Sequence, residues 1–485
     1  MIESASEFIA CPVHAQALEQ PEGFALEGPD LSLSFDELDA RVGLTGNRVL
    51  ERGLVPGARV GIAAGNSAGY VVLLLALLRR GFVACPLNVR RPRLQLQEMA
   101  REIGCAAIIA DPERNAAFEA PWPLEDLVGQ PSGRAADTPR RIRLGRRATI
   151  LFTSGSTGRP RAALHTYGNH WYNALGANEN LPLAAGDRWL LSLPLYHVGG
   201  LGIVFRCMAA GAAVYVPEGS EPFAASVAAR GITHLSLVPT QLRRLLDDPQ
   251  GLRIDHLRGV LLGGAPVPGH LVRRALDRGL PIHTSYGLTE TASQVTSTPP
   301  GAPERVLESS GRPLRFREIS LAADGEIRVR GRTLFAGYVR GNSMALPLDD
   351  EGWFRTGDLG RIDEQGLLHV TGRRDNLFIS GGENIQPEEI EAALVSLDEI
   401  EDAVVVPVSD PEFGARPVAV IRAGSASIDQ ESVRARLRGL LPGYMIPVAF
   451  IEEPAEPSKG NLKLDRRRLE RHAAAWLAST RRGSA

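Results

Sequence analysis

The first 145 residues alternate short apolar runs with helical stretches, and this alternation constrains the fold more than any other feature of the chain. Strand-like runs occupy residues 59–64 and 106–110, and helical stretches occupy residues 35–54 and 69–80. Strands that alternate with helices build βα units, in which neighbouring strands of one sheet run parallel. We therefore predict an α/β fold with a largely parallel sheet.

The same pattern resumes after a connection rich in proline, glycine and arginine at residues 121–146. Further strands are predicted near Ile150 and at residues 189–193, 213–216, 234–237 and 259–262. Residues 312–370 instead show short strand-like runs separated by tight turns, which predicts a small antiparallel region.

A break near residues 372–375 divides the chain into two predicted domains, residues 1–373 and residues 374–485. The length of 485 residues suits two or three domains. Beyond the break, a strand–helix–strand pattern is predicted, with strands at residues 403–408 and 417–422. This arrangement is typical of a small α+β domain that follows a large α/β domain.

Composition excludes several classes of partner. With 54 basic and 56 acidic residues, the net charge of −2 gives no basis for binding nucleic acid or an anionic membrane. The longest apolar run, at residues 71–78, is much shorter than the ~20 residues that span a bilayer. No basic leader is visible, and four scattered cysteines fit a reducing compartment. We expect a cytoplasmic protein, and the sequence leaves homo-oligomerisation open.

A loop rich in glycine, serine and threonine follows the strand predicted near Ile150. It comprises Thr153, Ser154, Gly155, Ser156, Thr157 and Gly158, and Arg159, Pro160 and Arg161 come next. Glycines allow close backbone approach, and the amides and hydroxyls can donate to an anion. The loop lacks the Gly-Lys-Ser/Thr ending of a Walker A motif. Composition alone therefore leaves a phosphate loop and an ordinary loop both open.

The wider string at residues 153–165, Thr-Ser-Gly-Ser-Thr-Gly-Arg-Pro-Arg-Ala-Ala-Leu-His, resembles the signature loop of the adenylate-forming superfamily. That superfamily contains acyl-CoA synthetases, luciferases and the adenylation domains of peptide synthetases. Its other motifs recur in order along essentially the whole chain. The family usually has lysine where this chain has Arg161, and this chain has only two lysines, so a replacement that keeps the charge is readily accommodated.

Two further motifs imply, by resemblance, an adenine slot and a metal ligand. The residues matching the slot are Gly263, Gly264 and Ala265 together with Ser285, Tyr286 and Gly287. Tyr286 would stack on the base, and Thr289 would contact the adenylate phosphate. Glu290 would bind Mg²⁺, an ion that prefers oxygen ligands shared between carboxylates and substrate phosphates.

The ribose site and the hinge are implied by two shorter motifs. Asp358, in Trp-Phe-Arg-Thr-Gly-Asp, matches the residue that binds both ribose hydroxyls, a task suited to a carboxylate with two acceptor oxygens. Arg373 would reach the ribose or the phosphate, although Arg-Arg in a turn is also typical of a solvated surface. Asp375 would be the pivot of a mobile C-terminal lid domain.

The C-terminal lysines resemble the family motif Gly-Lys-Ile/Leu-x-Arg, whose lysine enters the active site during adenylation. Alignment favours Lys463 over Lys459, and Leu462 stands where glycine is usual. By the same resemblance, Gly381 and Gly382 would lie along the tunnel that admits the thiol of coenzyme A. The proline and acids that follow at residues 387–391 also predict the start of a helix.

The resemblance implies an ATP-dependent ligase that works in two steps. A carboxylate attacks the α-phosphate of ATP to give an acyl-adenylate and pyrophosphate, and the thiol of CoA then displaces AMP. Because the first step joins two anions, positive charge is needed, and Mg²⁺, Arg161 and Lys463 would supply it. With Thr289 and Glu290, these residues form the predicted catalytic set, and the predicted partners are a small carboxylic acid, ATP and CoA.

The predicted acyl pocket contains His197, Arg206, Ser293 and Gln294. Arg206 could meet a second carboxylate on the substrate, or it could be an ordinary surface arginine. The motifs around these residues look most like the 2-succinylbenzoate–CoA ligases of menaquinone synthesis. Aryl-CoA ligases, medium-chain acyl-CoA synthetases and stand-alone enzymes that load a carrier protein share most of them, and these alternatives remain open.

Overall fold

The protein is described from a computed structural model and divides into two compact units. The described residues are 7–29, 31–129, 140–153, 160–217, 226–227, 230–248, 255–397, 399–423, 429–452 and 466–482. The first unit comprises residues 1–265, 274–320 and 329–355. The second comprises residues 266–273, 321–328 and 356–485.

An eight-stranded sheet in the first unit carries the predicted phosphate loop. In spatial order its strands are β21 (Ser343–Ala345), β20 (Gly337–Arg340), β10 (Ala162–Thr166), β9 (Arg147–Phe152), β5 (Val83–Pro86), β4 (Arg59–Ala63), β6 (Ala107–Ala110) and β7 (Trp122–Pro123). Strands β9, β5, β4, β6 and β7 pair parallel, whereas β10, β20 and β21 continue the sheet antiparallel. The predicted parallel sheet is confirmed.

A nine-stranded sheet carries the motifs predicted for adenine and metal. Its strands, in spatial order, are β17 (Arg312–Pro313), β16 (Ser293–Ser297), β15 (Ile282–Leu288), β14 (Gly259–Leu262), β13 (His234–Leu237), β11 (Arg188–Leu190), β12 (Ala213–Tyr215), β2 (Phe24–Glu27) and β3 (Ser32–Ser34). The six strands from β15 to β2 pair parallel, and the three outer strands pair antiparallel.

Several helices pack on these sheets through one large apolar cluster. The helices up to residue 307 are α1 (Pro12–Glu19), α2 (Phe35–Glu51), α3 (Ala68–Arg80), α4 (Arg93–Glu102), α5 (Leu124–Val128), α6 (Tyr167–Asn180), α7 (Val198–Ala210), α8 (Pro239–Leu246), α9 (Gly269–Asp277) and α10 (Glu304–Leu307). Ser34 and Glu37 form a capping box that starts α2, and the left-handed Gly81 ends α3. Leu38, Leu73 and Val204 are fully buried members of the shared core.

The antiparallel region predicted for residues 312–370 is distributed over three sheets. Strand β17 joins the nine-stranded sheet, and β20 and β21 join the eight-stranded one. The remaining strands form a four-stranded sheet in the order β18 (Arg317–Leu321), β19 (Glu326–Gly331), β22 (Phe354–Ile362) and β23 (Leu368–Arg373). A separate two-stranded sheet pairs β1 (Phe8–Ala10) with β8 (Arg141–Arg143).

The C-terminal part of the second unit is the predicted small α+β fold. It contains a hairpin of β24 (Phe378–Ser380) and β25 (Glu383–Ile385), a sheet of β26 (Ile400–Asp410), β27 (Gly414–Ala423) and β28 (Ala449–Glu452), and helices α11 (Pro387–Val395), α12 (Gln430–Arg438) and α13 (Arg466–Arg482). Val405 packs with α11 and α12, whereas Val404 packs with α13. Alternate residues of β26 are thus buried on both faces of the sheet.

The last boundary between the two compact units lies between Arg355 and Thr356. The domain boundary at residues 373/374 and the hinge at Asp375 therefore remain predictions. Within the described ranges, no helix has both the length and the apolar composition needed to cross a bilayer.

Candidate active site

The predicted phosphate loop joins two paired strands of the eight-stranded sheet. Thr153 follows β9, Arg161 precedes β10, and the Thr153 amide donates to the carbonyl oxygen of Arg161 at 2.8 Å. The side chain of Thr153 is buried, and its Oγ1 has no hydrogen-bond partner among the residues that the structure describes. The loop residues between them that were predicted to bind phosphate, Ser154, Gly155, Ser156, Thr157 and Gly158, lie outside the described residues.

The segments predicted to enclose adenine lie side by side because they end neighbouring parallel strands. Leu262 of β14 is the register partner of Thr284 of β15, and the Ser285 hydroxyl donates to the Leu262 carbonyl at 2.9 Å. A side chain at Gly263 would put its Cβ 2.9 Å from the Ser285 hydroxyl. The segment that begins at Gly263 therefore starts beside Ser285, and the adenine slot of Gly263, Gly264, Ala265, Ser285, Tyr286 and Gly287 stays a prediction.

The end of this slot is closely packed. Tyr286 is buried in β15, and a Cβ on Gly287 would lie 2.2 Å from the carbonyl oxygen of Ser293. Only glycine fits there without displacing β16. The following chain turns through two non-glycine residues with positive φ, Ala292 at 59° and Ser293 at 148°. This tight return starts β16 at Ser293, three residues after the predicted metal-binding residue.

The residues Thr289–Thr291 form a single 3₁₀ turn whose three carbonyl oxygens are each held by a different segment. Nε2 of His165 donates to Thr289 at 2.7 Å, and the Phe335 amide donates to Glu290 at 2.7 Å. The side-chain amide of Asn173 donates to Thr291 at 2.9 Å. The backbone beneath Thr289 and Glu290 is therefore preorganised by β10, by α6 and by the segment before β20.

The Glu290 carboxylate is buried, at 7% exposure, yet it forms no ion pair with any side chain in the described part of the chain. Its Oε1 accepts a hydrogen bond of 2.5 Å from the Tyr338 hydroxyl. The guanidinium of Arg161 lies over the same tyrosine ring, 4.2 Å from its centroid. Burial of a carboxylate without a cationic partner is costly, so this site suits an oxygen-seeking cation.

His165 and His170 lie behind this turn as neutral side chains. Burial lowers the pKa of His165 from 6.5 to about 4, and hydrogen bonding to the Thr289 carbonyl only partly opposes that shift. Burial, followed by the nearby His165, lowers the pKa of His170 well below its usual value. Because Nε2 of His165 donates to a carbonyl, it carries the proton of the neutral ring.

The predicted acyl-pocket residues lie on α7 and β16. His197 is the N-cap of α7, and its ring meets Tyr196 edge-on at 4.7 Å between centroids. Arg206, in the middle of α7, is 1% exposed and donates to the Ser293 hydroxyl at 3.1 Å. The surface alternative for Arg206 is therefore wrong. Gln294 is also buried.

The Arg206 guanidinium has no anionic partner among the residues that the structure describes. It lies over the Trp189 ring, 5.4 Å from the centroid, and its Nε has no hydrogen-bond partner within the described ranges. Burial lowers the pKa of Arg206 to about 10, so the group is still charged at neutral pH. A second buried arginine, Arg317, differs because backbone carbonyls, including that of Gln294, accept its hydrogen bonds.

In the second unit, Asp358 and Arg373 face each other across β22 and β23. They are direct partners in the antiparallel register, and Nη1 of Arg373 donates to Oδ1 of Asp358 at 2.7 Å. Asp375 lies 3.7 Å from the same guanidinium. Arg374 is exposed, as expected of a solvated turn, and it pairs with the buried Glu326 at 2.9 Å.

Gly381 and Gly382 form the two-residue turn between β24 and β25, with φ angles of 58° and 87°. Both positive angles are those of a tight hairpin turn that favours glycine. The Gly381 amide donates to the carbonyl oxygen of Phe413 at 2.9 Å. Helix α11 begins at Pro387 with two acids in its first turn, which confirms the predicted helix start.

Lys459, Leu462 and Lys463 lie outside the described residues. Helix α13 begins three residues after Lys463, at Arg466, and this side chain forms two hydrogen bonds with Glu391, at 2.6 and 2.8 Å. Coulombic attraction to Glu391 and a hydrogen bond with it raise the pKa of Arg466, despite its burial. The first described turn after the lysine motif is thus anchored to α11.

Comparison with known families identifies the chain. A family model described as AMP-binding enzyme matches residues 13–339. The chain belongs to the AMP-binding enzyme family. A second model, described as AMP-binding enzyme C-terminal domain, matches residues 389–463 of this AMP-binding enzyme. The predicted membership of the adenylate-forming superfamily is confirmed.

Relatives of this AMP-binding enzyme extend over nearly its full length. The 2-succinylbenzoate--CoA ligase of Escherichia coli (strain K12) is 36% identical over 450 residues, covering 93% of this chain and 95% of that protein. The o-succinylbenzoate CoA synthetase (MenE) of Bacillus subtilis, in complex with the acyl-adenylate intermediate OSB-AMP, is similar in structure, with a TM-score of 0.86. It is 28% identical and the match covers 96% of this chain and 98% of that one. The same synthetase in complex with ATP and magnesium ion has a TM-score of 0.85 at 28% identity, covering 96% and 100% of the two chains. The predicted α/β fold with a C-terminal domain is confirmed.

Sequence analysis did not identify two residues that contact the 3₁₀ turn Thr289–Thr291. His165 ends the string that resembles the signature loop, but that string assigned it no role. Tyr338 lies in the segment predicted as antiparallel, where no motif distinguished it from an ordinary strand tyrosine. Only its contacts with Glu290 and Arg161 reveal it.

Proposed function

We propose that this AMP-binding enzyme joins 2-succinylbenzoate to coenzyme A, with conversion of ATP to AMP and pyrophosphate. A carboxylate oxygen of the acid attacks the α-phosphorus as the bond to pyrophosphate breaks. The thiol of CoA then attacks the acyl carbon, loses its proton and releases AMP. Relatives named for this ligase activity support the proposal, and the activity would belong to menaquinone biosynthesis.

ATP would be held by the motifs described above. The adenine would lie between Gly263 and Tyr286, and its ribose hydroxyls would bind Asp358, which Arg373 orients through their ion pair. The hydroxyl of Thr153, which has no hydrogen-bond partner among the described residues, would donate to a phosphate oxygen. The rest of the phosphate-binding set would be Ser154, Gly155, Ser156, Thr157 and Gly158, with Thr289 at the α-phosphate.

Glu290 is the residue that would hold Mg²⁺. Its carboxylate is buried without a cationic partner in the described part of the chain, and Oε1 alone is occupied, by the Tyr338 hydroxyl. These properties fit a metal ligand rather than a structural ion pair. When bound, Mg²⁺ neutralises charge on the phosphates that pyrophosphate carries away.

Adenylation requires cations because both reactants are negatively charged. Arg161, stacked on Tyr338, would face the departing pyrophosphate, and Lys463 would approach the α-phosphate during this step only. For thioester formation, rotation of residues 374–485 about Asp375 would withdraw Lys463. The same rotation would place Gly381 and Gly382 along the path of the CoA thiol.

Arg206 is the residue that would select the substrate acid. The acid 2-succinylbenzoate has two carboxylates, and while the succinyl carboxylate is activated the benzoate carboxylate must be held. Arg206 is a buried cation that lacks an acidic partner within the described ranges, and the Ser293 hydroxyl beside it is a further polar group. A fatty-acyl or benzoyl pocket would instead be apolar, because an unpaired buried charge is costly. His197 and Gln294 complete the proposed pocket.

The decisive experiment measures ATP–pyrophosphate exchange and CoA-thioester formation over a panel of acids. We expect 2-succinylbenzoate to exceed benzoate and octanoate in kcat/KM by at least roughly tenfold, which requires only about 1.4 kcal/mol of discrimination. A better rate with octanoate or benzoate would refute the pocket assignment but leave adenylation intact. Faster transfer to a holo-carrier protein than to CoA would instead identify a carrier-loading enzyme.

A further inference from the structure

We propose that Tyr338 is a positioning residue that aligns both the metal-binding carboxylate and the phosphate-binding guanidinium. The inference rests on the proposed roles of Glu290 and Arg161, and it adds a residue that no motif predicted. The hydroxyl of Tyr338 contacts Glu290, and its ring face contacts Arg161. One side chain therefore connects the two groups that must meet the same phosphates.

The hydroxyl fixes the direction of the Glu290 carboxylate. It donates to Oε1 at 2.5 Å, a short charge-assisted hydrogen bond. No hydrogen bond or ion pair engages Oε2 of Glu290 among the described residues, so this oxygen is left for a ligand. Outer groups that bind a metal ligand in this way orient it, and their loss typically lowers metal affinity about 10- to 100-fold.

The ring is itself held in place, which makes it a suitable support for Arg161. It meets Phe335 edge-on with 4.7 Å between centroids, and Phe335 is only 2% exposed. The Phe335 amide donates to the Glu290 carbonyl, so the ring packs against the residue that holds the turn. Arg161 is exposed apart from this contact, and the stacking restricts a long flexible side chain.

Strand register explains how Tyr338, Arg161 and His165 come to lie on one face of the sheet. Tyr338 of β20 pairs directly with Ala163 of β10. Arg161 and His165 lie two residues to either side of Ala163, and positions two apart share one face of a strand. That face of the sheet therefore presents Arg161, which stacks on Tyr338, and His165, which holds the Thr289 carbonyl.

The test replaces Tyr338 by Phe, which removes the hydroxyl and keeps the aromatic ring. We expect the Mg²⁺ concentration for half-maximal binding of ATP, measured by calorimetry, and that for half-maximal ATP–pyrophosphate exchange both to rise at least about tenfold. Thioester formation from supplied acyl-adenylate should stay within about twofold of wild type, because no pyrophosphate leaves in that step. Tyr338→Leu should in addition raise the apparent KM for pyrophosphate, since it also removes the ring under Arg161.

Tyr172→Phe is the matched control. Tyr172 is half-buried like Tyr338, its hydroxyl accepts a hydrogen bond from Arg332 at 2.6 Å, and the same guanidinium lies over its ring. This variant loses a comparable hydroxyl contact away from Glu290, and its Mg²⁺ dependence should equal that of the wild type. An equal shift in the two variants would mean a general structural effect and would overturn the proposal.

A double-mutant comparison separates this inference from the proposed function. If Tyr338 acts through Glu290, adding Tyr338→Phe to Glu290→Gln should change the Mg²⁺ dependence by less than twofold. Additive effects would overturn the positioning role, as would an unchanged Mg²⁺ dependence in Tyr338→Phe alone. Failure of the wild-type enzyme to catalyse Mg²⁺-dependent exchange with any acid would instead contradict the proposed function.

Discussion

The guanidinium of Arg206 donates to the hydroxyl of Ser293 at 3.1 Å, so a neutral group occupies the place where a buried arginine usually has an acid. Arg79, which is equally buried, shows the usual arrangement through its ion pair with Asp39. A desolvated cation without an anion destabilises the fold unless something else is gained. We interpret that gain as recognition of a second carboxylate on the substrate.

Replacing Arg206 with Met tests this interpretation in two independent ways. We expect kcat/KM for 2-succinylbenzoate to fall by roughly 100-fold, the loss of one charge-assisted interaction, while the rate with a monocarboxylic acid falls much less. Because Met fills similar volume without a charge, thermal stability should be unchanged or higher. Arg79→Met is the matched control and should destabilise the protein, since it removes the buried ion pair with Asp39 and leaves only His14 beside that carboxylate. Equal loss with all acids would contradict the assignment.

Asp358→Ala should raise the apparent KM for ATP strongly, by about tenfold or more, because two ribose hydroxyls would lose their acceptor. The ranking of acids should be unchanged, since the ribose is distant from the acyl group within the adenylate. Steady-state kinetics over three acids measure both quantities. The control Asp363→Ala removes an acid that bonds His369 at the other end of the same hairpin, and it should leave the KM unchanged. A changed acid ranking in Asp358→Ala would contradict the ribose assignment.

Lys463→Ala should abolish acyl-adenylate formation and spare thioester formation from supplied adenylate within about threefold, because its charge is needed only while pyrophosphate leaves. Lys459→Ala, the only other lysine substitution the chain offers, should leave both half-reactions near wild type. Rapid-quench assays of each half-reaction measure the difference. Equal impairment of both steps in Lys463→Ala would refute the assignment.

His165 should make stability depend on pH in a defined window. Its pKa falls from 6.5 to about 4 on folding, so between these values the unfolded chain binds a proton that the native protein excludes. The contribution of His165 to the free energy of unfolding is therefore fully present above pH 6.5 and declines as the pH drops towards 4. His165→Gln should remove about 1.4 kcal/mol per pH unit from that slope, as measured by urea unfolding. Its amide can still donate to the Thr289 carbonyl, so adenylation should persist at pH 7. An unchanged slope would contradict the buried neutral histidine.

Local periodicity accounts for the elements that were predicted well. The strands at residues 59–64 and 106–110 and the helices at residues 35–54 and 69–80 were confirmed, because alternating burial and capping act over a few neighbouring residues. Residues 312–370 behaved differently. Their short strands were recognised, but their separation into three sheets depends on partners far away in the chain, such as the pairing of β20 with β10.

The sequence by itself determined the family, the fold class and the order of the motifs, because each motif is a short run whose residue types suit one contact with a nucleotide. It could not determine that Arg206 is buried with no acid beside it among the described residues, or that Tyr338 contacts both Glu290 and Arg161. The first fact arises where α7 meets β16, and the second where three separate segments meet, at positions 161, 290 and 338. Tertiary packing decided them, because burial and the pairing of charges depend on neighbours in space, and linear spacing carries no information about those neighbours.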